Sequence, residues 1–430
     1  MSMFGVFKGR GFRTPWHLRV LYISTFLLRT AFGALLLLIS AYFVGNEATR
    51  LLNVAIVAVP YPLAEMVTAN YFGILSDRVG RKPVIVAGTT LAAIVVAMYA
   101  LSDNVWYLTS LHGIHGIGAA ATVAPAIAMI ADHAQESDRG RQMGWFDYST
   151  FLGYIVGAVL GGFMIVIVSV PVGFVIISLI LAASAIMLFA LVKRTAPAVK
   201  GAHKSGFAEL RNVFRVREVR LIFPIWLVIA TLLGLALTYL PIILMGHDVS
   251  GSTIGIMFGL AGVALGLLQP FWGKVSDIVG RIPVMAYGVF SIAGIVVLLV
   301  FFPNTAVEVN ETAEGVTDIE FHLLGMIPLA IMGLGAGAFV PSALAMMADS
   351  SESRSYGATM GLYSFALGFG AFIAETLGLI IIYVNKDEAE NTTAGLILYF
   401  AAALVALAVL MMIVFFLSTY LKNRARNQRA

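Results

Sequence analysis

Ten residues between two long apolar runs set the terms for this chain. GILSDRVGRK, Gly73–Lys82, carries Asp77, Arg78, Arg81 and Lys82, none of which can rest in hydrocarbon. Gly73 and Gly80 let the backbone turn or approach where a side chain would clash. The stretch reads as a tight charged loop on a membrane surface. It returns as GKVSDIVGRI, Gly273–Ile282, keeping Gly273, Ser276, Asp277, Gly280 and Arg281 in register. A chain that repeats such a loop is built twice.

The runs around these loops decide the fold class. The chain is 60% hydrophobic and 12% charged, against about 25% charged residues in soluble domains. At about 20 apolar residues per crossing, twelve spans fit, near 18–44, 51–75, 84–102, 105–131, 143–168, 172–192, 221–245, 252–273, 283–302, 321–348, 357–384 and 393–420. Such runs are too long for barrel strands, and only helices otherwise satisfy the backbone in lipid. The expectation is an all-α polytopic membrane protein of twelve transmembrane helices.

Cations set the expected orientation. Lys8, Arg10, Arg13, Arg19, the Gly73 loop, Arg139, Arg141, Lys274, Arg281, Arg354 and the Lys422–Arg429 tail fall on one side, and the opposite loops carry only Arg50 and Lys386. Both termini are therefore expected in the cytoplasm, with the first span as insertion signal. The basic stretch 193–220 divides an N-terminal unit, 1–192, from a C-terminal unit, 221–430. Its FAELRNVFRVREV, Phe207–Val219, reads as an amphipathic surface helix against anionic lipid. Glu308, Glu311, Glu314, Asp318 and Glu320 make the loop after span 9 acidic, solvated and external. Asn310 and Asn391 head N-x-T triplets, which matter only in a glycosylating host. The net charge of +4 follows from this topology and implies no nucleic-acid partner.

A second repeat strengthens the first. ADHAQESDRGRQMG, Ala131–Gly144, aligns with ADSSESRSYGATMG, Ala348–Gly361, in matching places of the two halves. Gly73, Asp77, Arg78, Gly80, Arg81 and Lys82 resemble the loop signature between helices 2 and 3 of the major facilitator superfamily. The copy falls between helices 8 and 9, as that family's second half requires. The resemblance implies two pseudo-symmetric six-helix bundles around a central cavity, with access alternating as the halves rock. It also implies that the loop is a gate latch. Asp77 and Asp277 sit at helix ends beside arginines, and Asp132 and Asp349 end spans 4 and 10 ahead of Arg139 and Arg354. Gly73, Arg78, Gly80, Lys82, Gly280 and Arg281 complete the candidate latch; the alternative is that these residues mark topology and cap helices. Because Arg78 and Lys82 become Ile278 and Ile282, the C-terminal latch is expected to be the weaker.

GYIVGAVLGG, Gly153–Gly162, spaces Gly153, Gly157 and Gly161 four apart beside Gly162, which lets helix backbones pack closely. It resembles the helix 5 signature of the family's antiporters, with Gly157–Ala158 where they carry a Gly-Pro pair.

Deep ionisable residues carry the most functional information, since each costs at least about 2.5 kcal/mol at a helix centre. Arg29, Glu65, His115 and Glu375 qualify, and His112, nearer the outside, joins them as a cavity candidate. Glu65 lies roughly 17 Å, and Arg29 roughly 14 Å, from the cytoplasmic ends of their spans, so they can meet near mid-bilayer. They can form a static bridge or take part in transport. His112 and His115, three apart, share a helical face; they can bond across helices or titrate, as a buried carboxyl can near neutral pH. Asp147 is expected near a solvated end, and His247 with Asp248 in an external turn. Pro60 and Pro62 are expected to bend span 2 before Glu65.

Cysteine is absent, and no Walker loop, dinucleotide fingerprint, HExxH or metal-spaced cluster occurs. No enzyme activity, cofactor or metal is expected, nor a nucleotide-driven pump. The leading expectation is a secondary active transporter exporting amphipathic or lipophilic small molecules in exchange for protons, in the plasma membrane and as a monomer. The alternatives are a uniporter, a symporter of a polar solute, a lipid-type flippase, or a non-transporting membrane sensor or scaffold.

Overall fold

The structure is a computed structural model, described for residues 16–43, 47–134, 139–193, 214–246, 251–301, 307–311, 317–321, 323–349, 356–384 and 390–427. Most of the linker, including Phe207–Val213 of the expected amphipathic stretch, lies outside these residues, as do Arg354, His247 and Asp248. Span 1 is Trp16–Ala41, span 2 runs in two pieces, Glu47–Ala58 and Pro60–Val79, and span 3 is Arg81–Tyr99. Val105–His133, Arg139–Ile167 and Val170–Leu191 are spans 4 to 6. The second half matches: Arg217–Gly246 is span 7, Gly251–Gly266 with Gln269–Val279 span 8, and Arg281–Phe301 span 9. Leu323–Ala336 with Phe339–Asp349, Tyr356–Val384 and Glu390–Asn427 complete the set. Eleven stretches are long and apolar enough to cross by themselves, and the two shorter helices of span 8 make the twelfth crossing.

The repeated loop folds the same way twice. Gly80 (φ 96°) and Gly280 (φ 105°) end their helices in the left-handed region, where only glycine is unstrained. Their amides reach Ser76 O and Ser276 O at 3.1 and 3.2 Å, and both serine hydroxyls turn back to the Gly73 and Gly273 carbonyls. The next helix starts at once, at Arg81 and Arg281.

Span 2 breaks at Val59 before Pro60, whose ring nitrogen has no hydrogen to donate. Span 8, expected to be continuous, breaks before Gln269–Pro270, and the Gln269 amide donates to the Leu265 carbonyl freed there, 3.1 Å. Span 10 breaks between Ala336 and Phe339. The acidic loop after span 9 carries an antiparallel hairpin, Val307–Glu311 on Thr317–Phe321, with Val309 opposite Ile319. Alternation in VEVNE and TDIEF is a strand pattern that the expected loop overlooked.

The halves meet along two seams. Span 5 lies along span 8, with Gly144 against the Gln269 backbone and Gly255 against Ala158, while span 11 lies along span 2, with Gly368 against Pro62 and Met66. One apolar core joins both halves at the end bearing the repeated loops, hereafter the basic end: Leu18, Met129, Met143 and Phe146 pack with Trp226, Phe339, Met347 and Tyr363. A second core at the other end draws mainly on the first half, around Leu35, Tyr99, Leu108 and Phe174. The basic end is thus shut.

Gly153, Gly157 and Gly161 pack span 5 onto span 1 within the first half: they face Phe26 and Thr30, Thr30, and Ala34 respectively. Gly162 is buried on the same helix. A side chain at Gly157 would collide with the Thr30 backbone. Gly157→Val should therefore lower the thermal unfolding midpoint in detergent, an overpacking cost of about 1–3 kcal/mol. Gly259→Ala, whose added carbon would come no closer than 3.4 Å to Val159, should leave the midpoint nearly unchanged.

Candidate functional site

Between the halves lies a chamber of about 150 Å3, bordered by spans 1, 2, 4 and 5 on one side and 7, 10 and 11 on the other. Arg29, Glu65, His112 and Glu375, four of the five cavity candidates read from the sequence, line it. Arg29 projects from span 1 toward span 5, where Nη1 donates to the Tyr154 hydroxyl at 3.2 Å and the guanidinium sits 5.5 Å from that ring's centre. Its Nε has no hydrogen-bond partner. Glu65 is buried within the electrostatic reach of Arg29, yet the two form no ion pair. A static bridge is therefore not what holds them in this conformation.

Glu375 enters from span 11. Thr238 Oγ1 donates to its Oε1 at 3.3 Å, Oε2 is unpartnered, and the Tyr239 hydroxyl fixes its backbone carbonyl at 2.6 Å. Glu65 and Glu375 line the same chamber, one from each half. Asp147 joins them. Expected at a solvated end, it is 2% exposed, lines the chamber with one unpartnered oxygen, and feels Arg29. The correction is a matter of depth: Asp147 is eight residues into span 5, roughly 12 Å along it. Tyr154, two turns further, shares its face. Tyr154 was not singled out in the sequence, nor were Tyr61, Trp226, Thr238 and Tyr363, which also line the chamber. Counting turns would have found Asp147; the uncharged residues carry no signal that separates them from ordinary core.

The histidines divide. His112 faces the chamber, with Nδ1 2.7 Å from the Tyr99 hydroxyl. His115 lies one layer behind, where Tyr61 packs against both rings at 5.1 and 5.2 Å, and its Nδ1 is buried without a partner. It shares a small void with Arg29 and Phe32.

At the basic end Arg81 is fully buried. It pairs with Asp77 at 2.5 Å and Asp132 at 2.9 Å, and donates to Ser76 Oγ at 2.8 Å, all within the first half. Arg281 repeats the pattern with Asp277, Asp349 and Ser276. This second copy also crosses between halves. Asp277 accepts the Gly140 and Arg141 amides at 3.1 and 3.3 Å, placing a carboxylate on the N-terminus of span 5, and Arg139 bridges to Asp349 at 2.6 Å. Ile278, which stands where the first copy has Arg78, is exposed, and Lys82, which the second copy replaces with Ile282, sits over the Phe189 ring of span 6, 5.3 Å from its centre. Gly140 and Gly273 touch backbone to backbone beneath the pair.

The description Major Facilitator Superfamily fits residues 21–310 and 234–430. The chain belongs to the major facilitator superfamily. Among curated relatives, the proton-coupled antiporter flippase LtaA of Staphylococcus aureus is 26% identical over 371 residues, 85% of each chain. The class B tetracycline resistance protein of Escherichia coli is 37% identical over 106 residues, 24% of this chain and 25% of that protein. Among solved structures, the human organic anion transporter MFSD10 (TETRAN) superposes with a TM-score of 0.72 at 15% identity, over 93% of this chain and all of that one. The protein is a membrane transporter of this fold and not an enzyme.

The latch makes a test. With Met143→Cys as the reporter, buried in the basic-end core of a chain that has no native cysteine, Asp277→Ala should raise the rate of modification by a soluble thiol reagent about tenfold or more, since hydrogen bonds to a charged group contribute ~1.5–3 kcal/mol. An unchanged rate would mean that Asp277 does not hold the basic end shut.

Proposed function

We propose that this transporter exports amphipathic or lipophilic small molecules in exchange for protons, alternating between a state open at the basic end and one open at the other. The basic end and both termini face the cytoplasm of a cell bounded by the plasma membrane, and a single chain is the working unit. The observation that carries the reading is the charge balance of the chamber. Glu65, Asp147 and Glu375 share it with Arg29, the only lysine or arginine lining it among the described residues, and Arg29 is ion-paired with none of them.

Three carboxylates and one guanidinium in a largely apolar space favour protonation of at least one carboxyl, since burial disfavours the charged form. Protons enter when the chamber opens to the outside. When it opens to the cytoplasm they leave, and the freed carboxylates accept the polar or cationic end of a substrate whose apolar body lies on Phe32, Phe146, Trp226 and Tyr363. Proton and substrate compete for the same oxygens, so each crossing exchanges one for the other. At about 150 Å3 the chamber is smaller than the ~300–1,000 Å3 of pockets that hold drug-sized ligands. Loading therefore needs the basic-end latch to open.

A flippase for lipids with anionic headgroups is the second reading. It is favoured by the unpartnered Arg29 Nε and by the LtaA relative's length of match. In liposomes holding a pH-sensitive dye under an imposed proton gradient, lipophilic compounds should trigger proton movement that is lost in Glu65→Gln. Movement triggered only by lipids would favour the flippase. Substrate flux without proton movement, undiminished in Glu65→Gln, would overturn proton exchange.

A further inference from the structure

A groove of about 830 Å3 runs down the outer face of the first half between spans 3 and 6. It exists because small residues face one another there: Ala93 and Ala97 on span 3, Ala182 and Ala185 on span 6. Its rims are exposed apolar side chains, with Ile94 at 56%, Ile186 and Phe189 each at 68%, so the groove opens away from the protein. From Val86 to Leu101 it covers roughly 22 Å of helix, most of the ~30 Å hydrocarbon core. Ser178, a polar member of the wall, is satisfied by the Ala93 carbonyl at 2.8 Å.

The basic end of the groove is cationic. Phe189 forms its wall there, Lys82 Nζ lies over that ring, and Lys193, exposed, follows Phe189 by four residues at the end of span 6. Lys82 belongs to the repeated loop, and among the described residues it lies over this ring and pairs with no carboxylate. We propose that the groove is a binding site for an anionic phospholipid of the leaflet on the basic side, with its phosphate at Lys82 and Lys193 and one acyl chain between the alanine rows. The site is separate from the transport chamber. A lipid tail gains little by leaving other tails for an apolar wall, so selectivity resides in the headgroup. Each lysine near an anionic lipid contributes about fivefold, the equivalent of ~1 kcal/mol.

The test uses the full-length protein in phosphatidylcholine liposomes doped with phosphatidylglycerol or phosphatidylcholine bearing a photoreactive acyl chain, with the labelled peptides mapped by mass spectrometry. The glycerol lipid should label the 86–101 and 178–189 segments about fivefold or more above the choline lipid. Lys82→Gln should remove most of that preference, Lys82→Arg should keep it, and Ala182→Phe should block labelling by either lipid. Unfolding midpoints of the three variants, at or near the surface, establish that they are folded. Equal labelling by the two lipids, a preference untouched by Lys82→Gln, or labelling untouched by Ala182→Phe would each overturn the site.

Discussion

Charge placed in hydrocarbon is the constraint on which this structure turns. The chain puts ionisable groups in two places, and treats them in opposite ways. At the basic end the arginine that opens the helix after each repeated loop finds carboxylates: Arg81 holds Asp77 and Asp132, and Arg281 holds Asp277 and Asp349. In the chamber, Arg29 forms no ion pair with Glu65, Asp147 or Glu375 among the described residues. Ion-paired networks rigidify the state that holds them. Groups left unpaired are available to a proton or a ligand, and the transport reading rests on that difference.

The latch joins the halves through a helix end as much as through ion pairs. The Asp277 carboxylate meets the first amides of span 5, where the helix dipole favours negative charge. Gly140 and Gly273 let the two backbones come into contact just there, and any side chain at Gly140 would strike Asp277 and Arg281. Span 5 also packs closely on span 1 through Gly153, Gly157 and Gly161, which carries Arg29 with it. In the proposed transport cycle, span 5 is the helix that links the latch to the chamber. Breaks at Val59–Pro60, before Gln269, and between Ala336 and Phe339 lie in spans 2, 8 and 10, leaving places where a span can bend.

The architecture was legible because lipid leaves few options: apolar runs must be helices, and the duplicated Gly-Ser-Asp-Gly-Arg pattern marks the same turn twice. The cavity positions of Arg29, Glu65, His112 and Glu375 were legible for the same reason. What escaped were features set by neighbours. Asp147 looked close to an end because span 5 was expected to begin at 143, whereas the helix begins at Arg139 and places Asp147 two turns in. Lys82 looked like part of the latch because it adjoins Arg81, but consecutive helical residues point apart, and it faces span 6 instead. His115 shares a face with His112 and is still screened from the chamber by Tyr61. The tyrosines, Trp226 and Thr238 look like any membrane residue until the opposite half is placed against them.

The account holds that the shut basic end is one of two states, exchanged by protonation in the chamber. The most direct measurement is the distance between paired spin labels at each end of the molecule, on cysteines placed at exposed Val79 and Ile278 for the basic end and at exposed Leu101 and Val384 for the other. The account predicts two distances at each end, whose populations shift in opposite senses as pH is lowered, and a shift that Glu65→Gln suppresses. A single distance at both ends, unmoved by pH, would contradict it.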